Sequence, residues 1–596
     1  MKRKFVQIAA FCLMLACLLT MVSAAYSSDD DGYGNYVEFE IPEGDGTGSG
    51  SEDEDSGYDD YAYYDPEEGE KTIRVGLYFG SGALDGANLA NFIGRGYSFG
   101  YYNSSNEFVE VGYTDKSALS VVKTTNVYYG TYNGYTSYHD DITSNIAVGC
   151  YHLQLPWEYY SFEEAQREAD YYEDYDSFVA YVDGSYYVRI GNYVSRDRAV
   201  SAMEDLSWDG VDTEVVGTSS YGVSVVESGT NTIVFQYDDN GNGTGLGVQA
   251  ISENDEKTQT WFMGYKWYGG FRYERVNGGD LTVVNFVDIE DYTNCVISRE
   301  MSDSWPLEAL KAQAVAARSY ATGLNRHPSA YHFDLCNTTC CQAYHGTALI
   351  GKNTARAVAE TAGQYVWYNG QIARTFYSAS NGGASEDVSV IWGSNQAAYP
   401  YLAGVVDPYE ATVVISNYAW TREFTPSVLK EKMRAKGYNC SNIVNTYVGE
   451  YSRMGNPKTV VLVDSDGRSY TMNTGKFVSM LGGLPSYRYD FGTGAQDEYS
   501  VNGTDPVIGV NGLYAVNGNG EVVAINEGAY VITDQGVSKL VQDKDDVVNS
   551  KGNIVISGKG KGHNVGMSQH GARAMALQGY DYEEILKFYY TGVTVG

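Results

Sequence analysis

The chain has 596 residues, of which 43% are hydrophobic and 56 are tyrosine, and its formal net charge is −36. Because this length exceeds one ordinary hydrophobic core, we expect about two to four domains. The negative charge argues against a nucleic-acid partner, since long-range repulsion opposes encounter with a polyanion. The tyrosines suit binding of a neutral polymer such as a sugar chain, and they equally suit the decoration of strand edges and surfaces.

The N-terminus has the order of an export signal, with basic residues at 2–4, an apolar run, and small residues at 22–24. We therefore expect residues 1–25 to be a signal peptide and the protein to reach the cell envelope or the extracellular space. The apolar stretch 5–25 is nearly long enough to span a bilayer, so an uncleaved signal anchor is the alternative.

The next two segments differ in amino-acid composition and in apolar periodicity. Residues 26–71 consist mainly of Asp, Glu, Gly, Ser and Tyr without apolar periodicity, which predicts a solvated, disordered acidic linker. From Thr72 onward, IRVGLYFG reads as a strand, and alternating apolar residues with Gly and Asn turns continue to about residue 145. Residues 72–145 are therefore predicted to be a β-rich N-terminal region.

Residues 146–218 follow the order βαββαβ. The strands are YHLQL, FVAYV, YYVRI and TEVV, and the helices SFEEAQREADYY and SRDRAVSAMEDL begin at the capping residues Ser161 and Ser195. Asp183-Gly184 is a hairpin signal, and the order predicts two helices on one face of a four-stranded sheet. The order and the phrases YYVRIGNY and SRDRAVSAM resemble a SPOR domain, a small fold that binds glycan strands stripped of peptides. An unrelated ferredoxin-like module is the alternative. Residues 219–264 are expected to form a β-rich connector.

A glutamate lies between two predicted elements in the segment REMSDSWPLEAL (299–310). Upstream, VVNFVDIEDYTNCVIS reads as a strand and then a helix. Downstream, Ser304 as N-cap and Pro306 in the first turn predict a helix over 307–320. Alanines at helical spacing in that helix would let another element approach closely.

This junction would hold the carboxyl of Glu300 beside Met301 and Trp305, where partial loss of water would raise its pKa. A carboxyl that keeps its proton near neutral pH suits a general acid for glycosidic cleavage. From these residues alone, a surface or helix-capping glutamate is the simpler explanation.

Five ordered segments between Glu300 and Gly592 change this interpretation. They are EMSDSWPLEALKAQAVAARSYA, FDLCNTTCCQAYHG, FYSASNGGASEDVSVIWGS, AAYPYLAGVVDPYE and SGKGKGHNVGMSQHGARAMALQGYDYEEILKFYYTG. Together they resemble the SpoIID family of sporulation-stage peptidoglycan lytic transglycosylases, which also includes proteins described as amidase enhancers. The fold class expected is multidomain α+β, with a mixed α+β catalytic domain over 265–596 that contains a glycan groove.

The resemblance implies that Glu300, immediately before Met301, is the single catalytic acid. It would protonate the oxygen between MurNAc and GlcNAc and then take the proton of the muramyl C6 hydroxyl, which closes a 1,6-anhydro ring. The N-acetyl group can stabilise the cation, so no second carboxylate is needed, and Asp303 is interpreted as a turn residue. For Arg318 the resemblance implies a substrate-binding or Glu300-positioning role; an ordinary solvated arginine is the alternative.

A cluster of thiols and histidine lies within ten residues, at His332, Cys336, Cys340 and Cys341. The HxxxC spacing with nearby thiols suits a structural tetrahedral zinc site. The resembled family holds zinc here with Cys and His, although it often has His where this chain has Cys340. Cys336 and Cys341 are the firmest ligands, followed by His332, and the set would be completed by Cys340, His327 or His345. In an exported protein the alternative is a disulfide within the loop or to Cys295 or Cys440.

The C-terminal segment GKGKGHNVGMSQHGARAMA lacks the phosphate-loop arrangement GxxxxGK[ST]. A glycine-rich turn before a helix beginning near Ser568 is the plain interpretation. The resemblance instead implies a groove wall that binds sugar hydroxyl and acetamido groups, where glycines permit close backbone approach. The residues expected to bind substrate are His563, Ser568 and Gln569 in this segment, Tyr377, Ser378 and Ser380 in the central segment FYSASNGGASEDVSVIWGS (376–394), and Tyr590 near the C-terminus.

We therefore expect an exported lytic transglycosylase that acts on glycan strands without stem peptides, and the SPOR-like module would bind the same polymer. Partners would be these strands, a cell-wall amidase and other envelope or sporulation proteins. One alternative is a non-catalytic glycan-binding protein that stimulates a separate amidase. Another is an ordinary hydrolase that leaves reducing ends.

Overall fold

A computed structural model of the chain describes residues 72–492 and 551–596, except 209, 218, 324–326, 328–330, 339 and 395, together with six short strands between 498 and 539. The predicted signal segment and acidic linker, residues 1–71, lie outside the described residues. Within the described part of the chain, no helix combines the length and apolarity needed to cross a membrane.

Ten α-helices lie in the described residues. They are α1 (Phe162–Tyr171), α2 (Arg196–Trp208), α3 (Ile289–Glu300), α4 (Leu307–Thr322), α5 (Lys352–Glu360), α6 (Val388–Trp392), α7 (Pro426–Ala435), α8 (Thr474–Leu481), α9 (Gln569–Leu577) and α10 (Tyr582–Tyr589). Short 3-10 turns occur at Gly80–Gly82, Glu173–Tyr175, Val276–Gly278, Gln396–Ala398 and Glu410–Thr412.

Strands dominate the first part of the described chain. They are β1 (Thr72–Tyr78), β2 (Gly86–Ile93), β3 (Tyr97–Tyr102), β4 (Phe108–Thr114), β5 (Ala118–Lys123), β6 (Val127–Tyr132), β7 (Tyr135–His139), β8 (Ala147–Val148), β9 (Tyr151–Gln154), β10 (Ser177–Val182), β11 (Ser185–Tyr193), β12 (Glu214–Gly217), β13 (Val223–Glu227), β14 (Ile233–Asp238), β15 (Leu246–Ala250), β16 (Gln259–Phe262), β17 (Tyr265–Trp267), β18 (Gly270–Glu274) and β19 (Thr282–Asp288).

The later strands are shorter. They are β20 (Leu335–Cys336), β21 (Val366–Tyr368), β22 (Gln371–Ile372), β23 (Tyr377–Ser378), β24 (Ala419–Phe424), β25 (Ile443–Tyr451), β26 (Pro457–Asp464), β27 (Ser469–Asn473), β28 (Tyr489–Phe491), β29 (Glu498–Tyr499), β30 (Val507–Ile508), β31 (Tyr514–Val516), β32 (Val522–Ala524), β33 (Tyr530–Thr533), β34 (Gly536–Lys539), β35 (Ile554–Lys559), β36 (Met567–Ser568) and β37 (Thr594–Val595). The expected α+β class with a β-rich N-terminal region is confirmed.

Two large sheets organise the first 200 described residues. One has seven strands in the order β20-β1-β19-β18-β15-β3-β4, and the other has ten in the order β12-β9-β11-β10-β14-β13-β5-β2-β16-β17. The first strand of the described chain pairs antiparallel with β19, so Thr72 lies opposite Asp288. Strand pairing thus crosses the expected boundaries at 145, 218 and 264, which remain predictions.

The predicted order βαββαβ is present as β9, α1, β10, β11, α2 and β12. Ser161 accepts a hydrogen bond from the Glu164 N–H and caps α1, as its position predicts. Asp183 and Gly184 both have positive φ in the hairpin turn between β10 and β11. The four strands are not a separate sheet, because β10 also pairs parallel with β14. The edge that an isolated module would expose at β10 is therefore covered.

The central helix α4 is buried on nearly all sides and packs against α3, α5, α9 and α10. Its alanines let these helices approach closely, as the sequence predicts. Ser304 is not the N-cap: α4 begins after Pro306 without a side-chain cap, and the Ser304 hydroxyl pairs with that of Ser302. The proline fixes φ at the helix start, so the first turn forms without a capping hydroxyl.

A second, smaller core lies between α7, α8 and strands β25–β28 and β35. Leu429, Met433 and Phe477 are among its buried residues. This part of the chain lies between the segment 376–394 and the C-terminal segment that begins at residue 557. Strand β36 nevertheless pairs parallel with β23, placing Ser568 opposite Ser378. The two segments that the site needs are therefore brought together across this insertion.

Candidate functional site

Glu300 is the last residue of α3, a helix whose first turn is capped by the Asp288 side chain. The chain turns to extended geometry at Met301, so the Glu300 carboxyl projects where α3 ends and before α4 begins. Its Oε2 accepts a hydrogen bond of 2.8 Å from Gln569 Nε2, the first residue of α9. The junction that the sequence predicts is confirmed, with a third helix as its partner.

The electrostatic setting of Glu300 favours its protonated form. Loss of hydration raises the pKa of the carboxyl, while the hydrogen bond from Gln569 and the charge of Arg299 oppose this rise. Among the described residues, none forms a hydrogen bond with the second carboxyl oxygen, Oε1. Asp303 is held elsewhere, since its Oδ1 accepts the N–H groups of Asn353 and Thr354 at 2.8 Å. The site thus offers one carboxyl with one unengaged oxygen.

A buried carboxylate fixes the start of α9 and therefore the place of Gln569. Ser568 caps α9 through the Gly571 N–H and donates its hydroxyl to Glu410 Oε2 at 2.6 Å. Glu410 also accepts the Ser380 hydroxyl at 2.5 Å and the N–H of Gly382 at 3.0 Å. The carboxylate thereby ties the loop after β23 to the helix that contacts Glu300.

Asp407 lies next to Glu410 and extends the same network. It accepts hydrogen bonds from the Asn381 amide at 2.8 Å and the Tyr589 hydroxyl at 2.6 Å. Loss of hydration raises the pKa of Asp407 and of Glu410, and the Asp407 charge adds to the rise at Glu410. Two buried acids with this many donors are a structural clamp rather than a second acid at the reaction centre.

Tyr377 is oriented by a glutamine. Gln342 Nε2 donates to the Tyr377 hydroxyl oxygen at 2.8 Å and to the Ala317 carbonyl at 3.3 Å, while its Oε1 accepts the Tyr292 hydroxyl at 2.9 Å. The carbonyl acceptor fixes which end of the amide is nitrogen. Tyr377 therefore accepts from Gln342 and keeps its own proton for donation. Burial and the nearby Glu300 raise the pKa of Tyr377 well above its ordinary value.

Aromatic and imidazole rings surround these groups. Trp305 and His570 have ring centroids 5.0 Å apart, and His563 lies 5.1 Å from the partly exposed ring of Trp392. Loss of hydration lowers the pKa of both histidines to about 4. Both are therefore neutral at neutral pH and can act as hydrogen-bond donor or acceptor.

Arg318 is 0% exposed and pairs with Glu290 in the first turn of α3 through Nε–Oε1 and Nη2–Oε2 contacts of 2.9 and 2.5 Å. It also donates to the Gln364 carbonyl at 3.1 Å. The buried, paired guanidinium excludes an ordinary solvated arginine and offers no exposed group in this structure, while the expected substrate-binding role stays a prediction. Holding α3 against α4 fits the other expectation, positioning of Glu300.

Four other expected substrate-binding residues are buried and engaged with protein. Ser380 and Ser568 donate to Glu410, and the Tyr590 hydroxyl donates to the Phe376 carbonyl at 2.8 Å. Ser378 is buried in the β23–β36 pair. These side chains form the support of the site rather than its surface. Of the expected set, Gln569 bonds to Glu300 directly, and the charge of Glu300 acts on Tyr377.

Three thiols and one imidazole come together as expected of a soft metal site, but with a different histidine. The ligand atoms of His327, Cys336, Cys340 and Cys341 all lie within 4.8 Å of one another. His332 instead contacts Glu274 at 2.8 Å, and the His345 ring packs near Tyr265. His332 has a positive φ of 58°. Among the described residues, Cys150, Cys295, Cys336, Cys341 and Cys440 are not joined in disulfides.

The sequence interpretation missed Gln342, Glu410, Asp407 and Trp392 as parts of the site. Gln342 directly follows a predicted metal ligand, and Asp407 and Glu410 lie in the segment VVDPYE. A glutamine next to the predicted metal ligands is one signal of buried polar contacts. Two acids in a segment that begins with two valines are another. Their partners lie up to 182 positions away and are visible only in the fold.

Residues 277–368 match the family model SpoIID, described as Stage II sporulation protein. The chain is 29% identical over 382 residues to an uncharacterized protein of Brachyspira hyodysenteriae, covering 63% of this chain and 85% of that protein. It is 30% identical over 305 residues to the Amidase enhancer of Bacillus subtilis, covering 50% and 39%. It is 26% identical over 328 residues to Stage II sporulation protein D of Bacillus subtilis, covering 52% and 75%.

Proposed function

Because this chain belongs to the SpoIID family, we propose that it is an exported peptidoglycan lytic transglycosylase that acts during sporulation. It cleaves the MurNAc–GlcNAc bond of glycan strands stripped of stem peptides and leaves 1,6-anhydroMurNAc ends. The observation that carries this proposal is the Glu300 carboxyl, whose pKa is raised by loss of hydration and whose Oε1 is unengaged among the described residues.

The reaction needs one group that first gives and then takes a proton. Protonated Glu300 donates its proton to the bridging oxygen as the bond to muramyl C1 breaks, and the GlcNAc C4 hydroxyl leaves. The Glu300 carboxylate then takes the proton of the muramyl C6 hydroxyl while O6 bonds to C1. The carboxyl returns to its starting state, so no second carboxylate and no water enter the balance.

The surrounding residues position this proton transfer. Gln569 holds Oε2 and leaves Oε1 to face the bridging oxygen. Tyr377 donates its hydroxyl proton to the bound sugar, because its oxygen already accepts from Gln342. Glu410 and Arg318 act through other residues of the protein. Glu410 positions Gln569 through α9, and Arg318 positions Glu300 through α3. A fixed donor set of this kind lowers the cost of reorganisation during the reaction.

The thiol cluster is part of the proposal as a structural zinc site. One histidine and three cysteines, His327, Cys336, Cys340 and Cys341, offer the nitrogen and sulfur donors that tetrahedral Zn²⁺ prefers. A bound zinc ion would hold the segment that carries Gln342. The βαββαβ segment is proposed to bind the same glycan polymer in the manner of a SPOR domain, and a cell-wall amidase is proposed as the partner that prepares the strands.

The name of one relative, Amidase enhancer, favours a second function, in which the chain binds glycan and stimulates a separate amidase. The two functions separate in one experiment with denuded glycan strands and purified protein. Release of soluble fragments with anhydro ends supports the transglycosylase. Retention of protein on the strands without release, combined with faster hydrolysis by an added amidase, supports the enhancer. Fragments with reducing ends would indicate an ordinary hydrolase.

A further inference from the structure

Positive side chains gather around Glu300 in a chain whose net charge is −36. Arg299 precedes it directly and lowers the pKa of its carboxyl through charge. Arg573 and Lys561 both add to the lowered pKa of His570, the neighbour of Gln569. Three positive side chains thus act on Glu300 or on His570, and cations at a site suit a negatively charged ligand.

Arg573 is the cation placed to meet such a ligand. It lies four residues after Gln569 in α9, so both side chains project from the same face of the helix. Its guanidinium carbon lies 5.1 Å from the ring centroid of Trp305, five residues after Glu300. No carboxylate of the described residues pairs with Arg573, and Glu308, three residues after Trp305, pairs with Lys311. Arg573 is also partly exposed.

Stacking on an indole leaves the edges of a guanidinium open. The N–H groups of arginine lie in the plane of the fork and match the two oxygens of a carboxylate. The ring restricts the rotamers of the side chain and lowers the entropy lost on binding. Trp305 therefore presents Arg573 for bidentate binding of an anion near the reacting carboxyl.

The substrate of the proposed reaction carries such an anion. Muramic acid bears a lactyl group whose carboxyl forms an amide with the stem peptide and becomes a free carboxylate when an amidase removes that peptide. Resting on the proposed function, we propose that Arg573, supported by Trp305, binds the free lactyl carboxylate of a muramyl residue beside Glu300. The site would in this way select strands from which the peptide has already been removed.

The test compares two preparations of the same denuded strands. In one the lactyl carboxylates are left free, and in the other they are converted to neutral methylamides. Wild type, Arg573→Gln and Arg573→Lys are assayed on both, with Arg356→Gln as a control, since Arg356 lies on the exposed face of α5 and pairs with Glu360. Circular dichroism and thermal unfolding check that each variant folds.

Wild type is expected to show a KM lower by about ten- to a hundredfold on the free-carboxylate strands, the range of a charge-assisted hydrogen bond. Arg573→Gln should raise KM on the free-carboxylate strands to the value for the methylamide strands, and it should leave KM on the methylamide strands unchanged. Arg573→Lys should give a KM on the free-carboxylate strands between those of wild type and Arg573→Gln. Equal KM values for both substrates in wild type and Arg573→Gln would overturn this proposal while cleavage itself persists. Absence of cleavage by wild type on both preparations would instead overturn the proposed function.

Discussion

Gln569 donates a 2.8 Å hydrogen bond to the Glu300 carboxyl across 269 positions of sequence. The contact joins the end of α3 to the start of α9 and leaves one carboxyl oxygen unengaged within the described residues. It also stabilises the charged form of the acid, against the desolvation that favours the neutral form. Gln569, from the far end of the chain, therefore contacts the Glu300 carboxyl and moderates the rise in its pKa that burial causes.

Replacing Gln569 by Leu should shift the pH dependence of cleavage. The variant removes a donor that lowers the pKa of Glu300, so the pKa should rise and the acid should stay protonated to higher pH. We expect the alkaline limb of the kcat/KM profile to move upward in pH, with a lower maximum. Gln578 directly follows the last residue of the same helix, and Gln578→Leu is the matched control. An unshifted limb in Gln569→Leu would contradict the assigned contact.

The raised pKa of Glu300 also affects stability. A carboxyl whose pKa is higher in the folded state contributes its full stability below its ordinary pKa and loses it as pH rises through the folded pKa. Glu300→Gln replaces the ionisable carboxyl by a neutral amide and so removes this pH-dependent loss of stability. The variant should therefore gain in Tm relative to wild type as pH rises from below the ordinary pKa of a glutamate through the raised pKa of Glu300, whereas Glu583→Gln, at a partly exposed position, should not. A constant Tm difference across this range would be inconsistent with a desolvated Glu300.

Loss of the pair between the buried Arg318 and the partly exposed Glu290 should destabilise the fold. Arg318→Leu leaves the Glu290 carboxylate without its partner, which costs about 3 kcal/mol in urea unfolding. The exposed pair of Arg356 and Glu360 offers the comparison, where Arg356→Leu should cost less than about 0.5 kcal/mol. Similar costs for the two variants would show that Arg318 does not anchor α3.

Zinc content should depend on His327 and not on His332. Protein refolded with zinc and dialysed should retain about one ion per chain by elemental analysis, because the four donors lie within reach of one ion. His327→Ala and Cys336→Ser should lose the ion and lower Tm, whereas His332→Ala and Cys440→Ala should retain it. Loss in His332→Ala with retention in His327→Ala would restore the ligand set inferred from sequence.

Local patterns predicted much of this architecture. The strand and helix before Glu300, the helix after Pro306, the capped helix α1 and the Asp183-Gly184 hairpin all follow from periodicity, caps and turn residues. Each of these depends on contacts within a few positions of sequence. Such contacts are visible in a single chain without its fold.

The supporting contacts of the site could not be predicted in this way. Ser380, Ser568 and Tyr590 look like ligands to sugar in the sequence, but in the fold they bond to Glu410 and to a backbone carbonyl. Hydroxyl side chains serve both purposes, and only burial separates them. His332 shows the same limit, since spacing alone did not reveal that its ring meets Glu274.

The most direct measurement is mass spectrometry of the products that wild type and Glu300→Gln release from denuded glycan strands. We expect 1,6-anhydromuramyl ends from wild type and no release from the variant, which should still bind the strands. Release of the same anhydro products by Glu300→Gln at an undiminished rate would contradict the assignment of Glu300 as the acid.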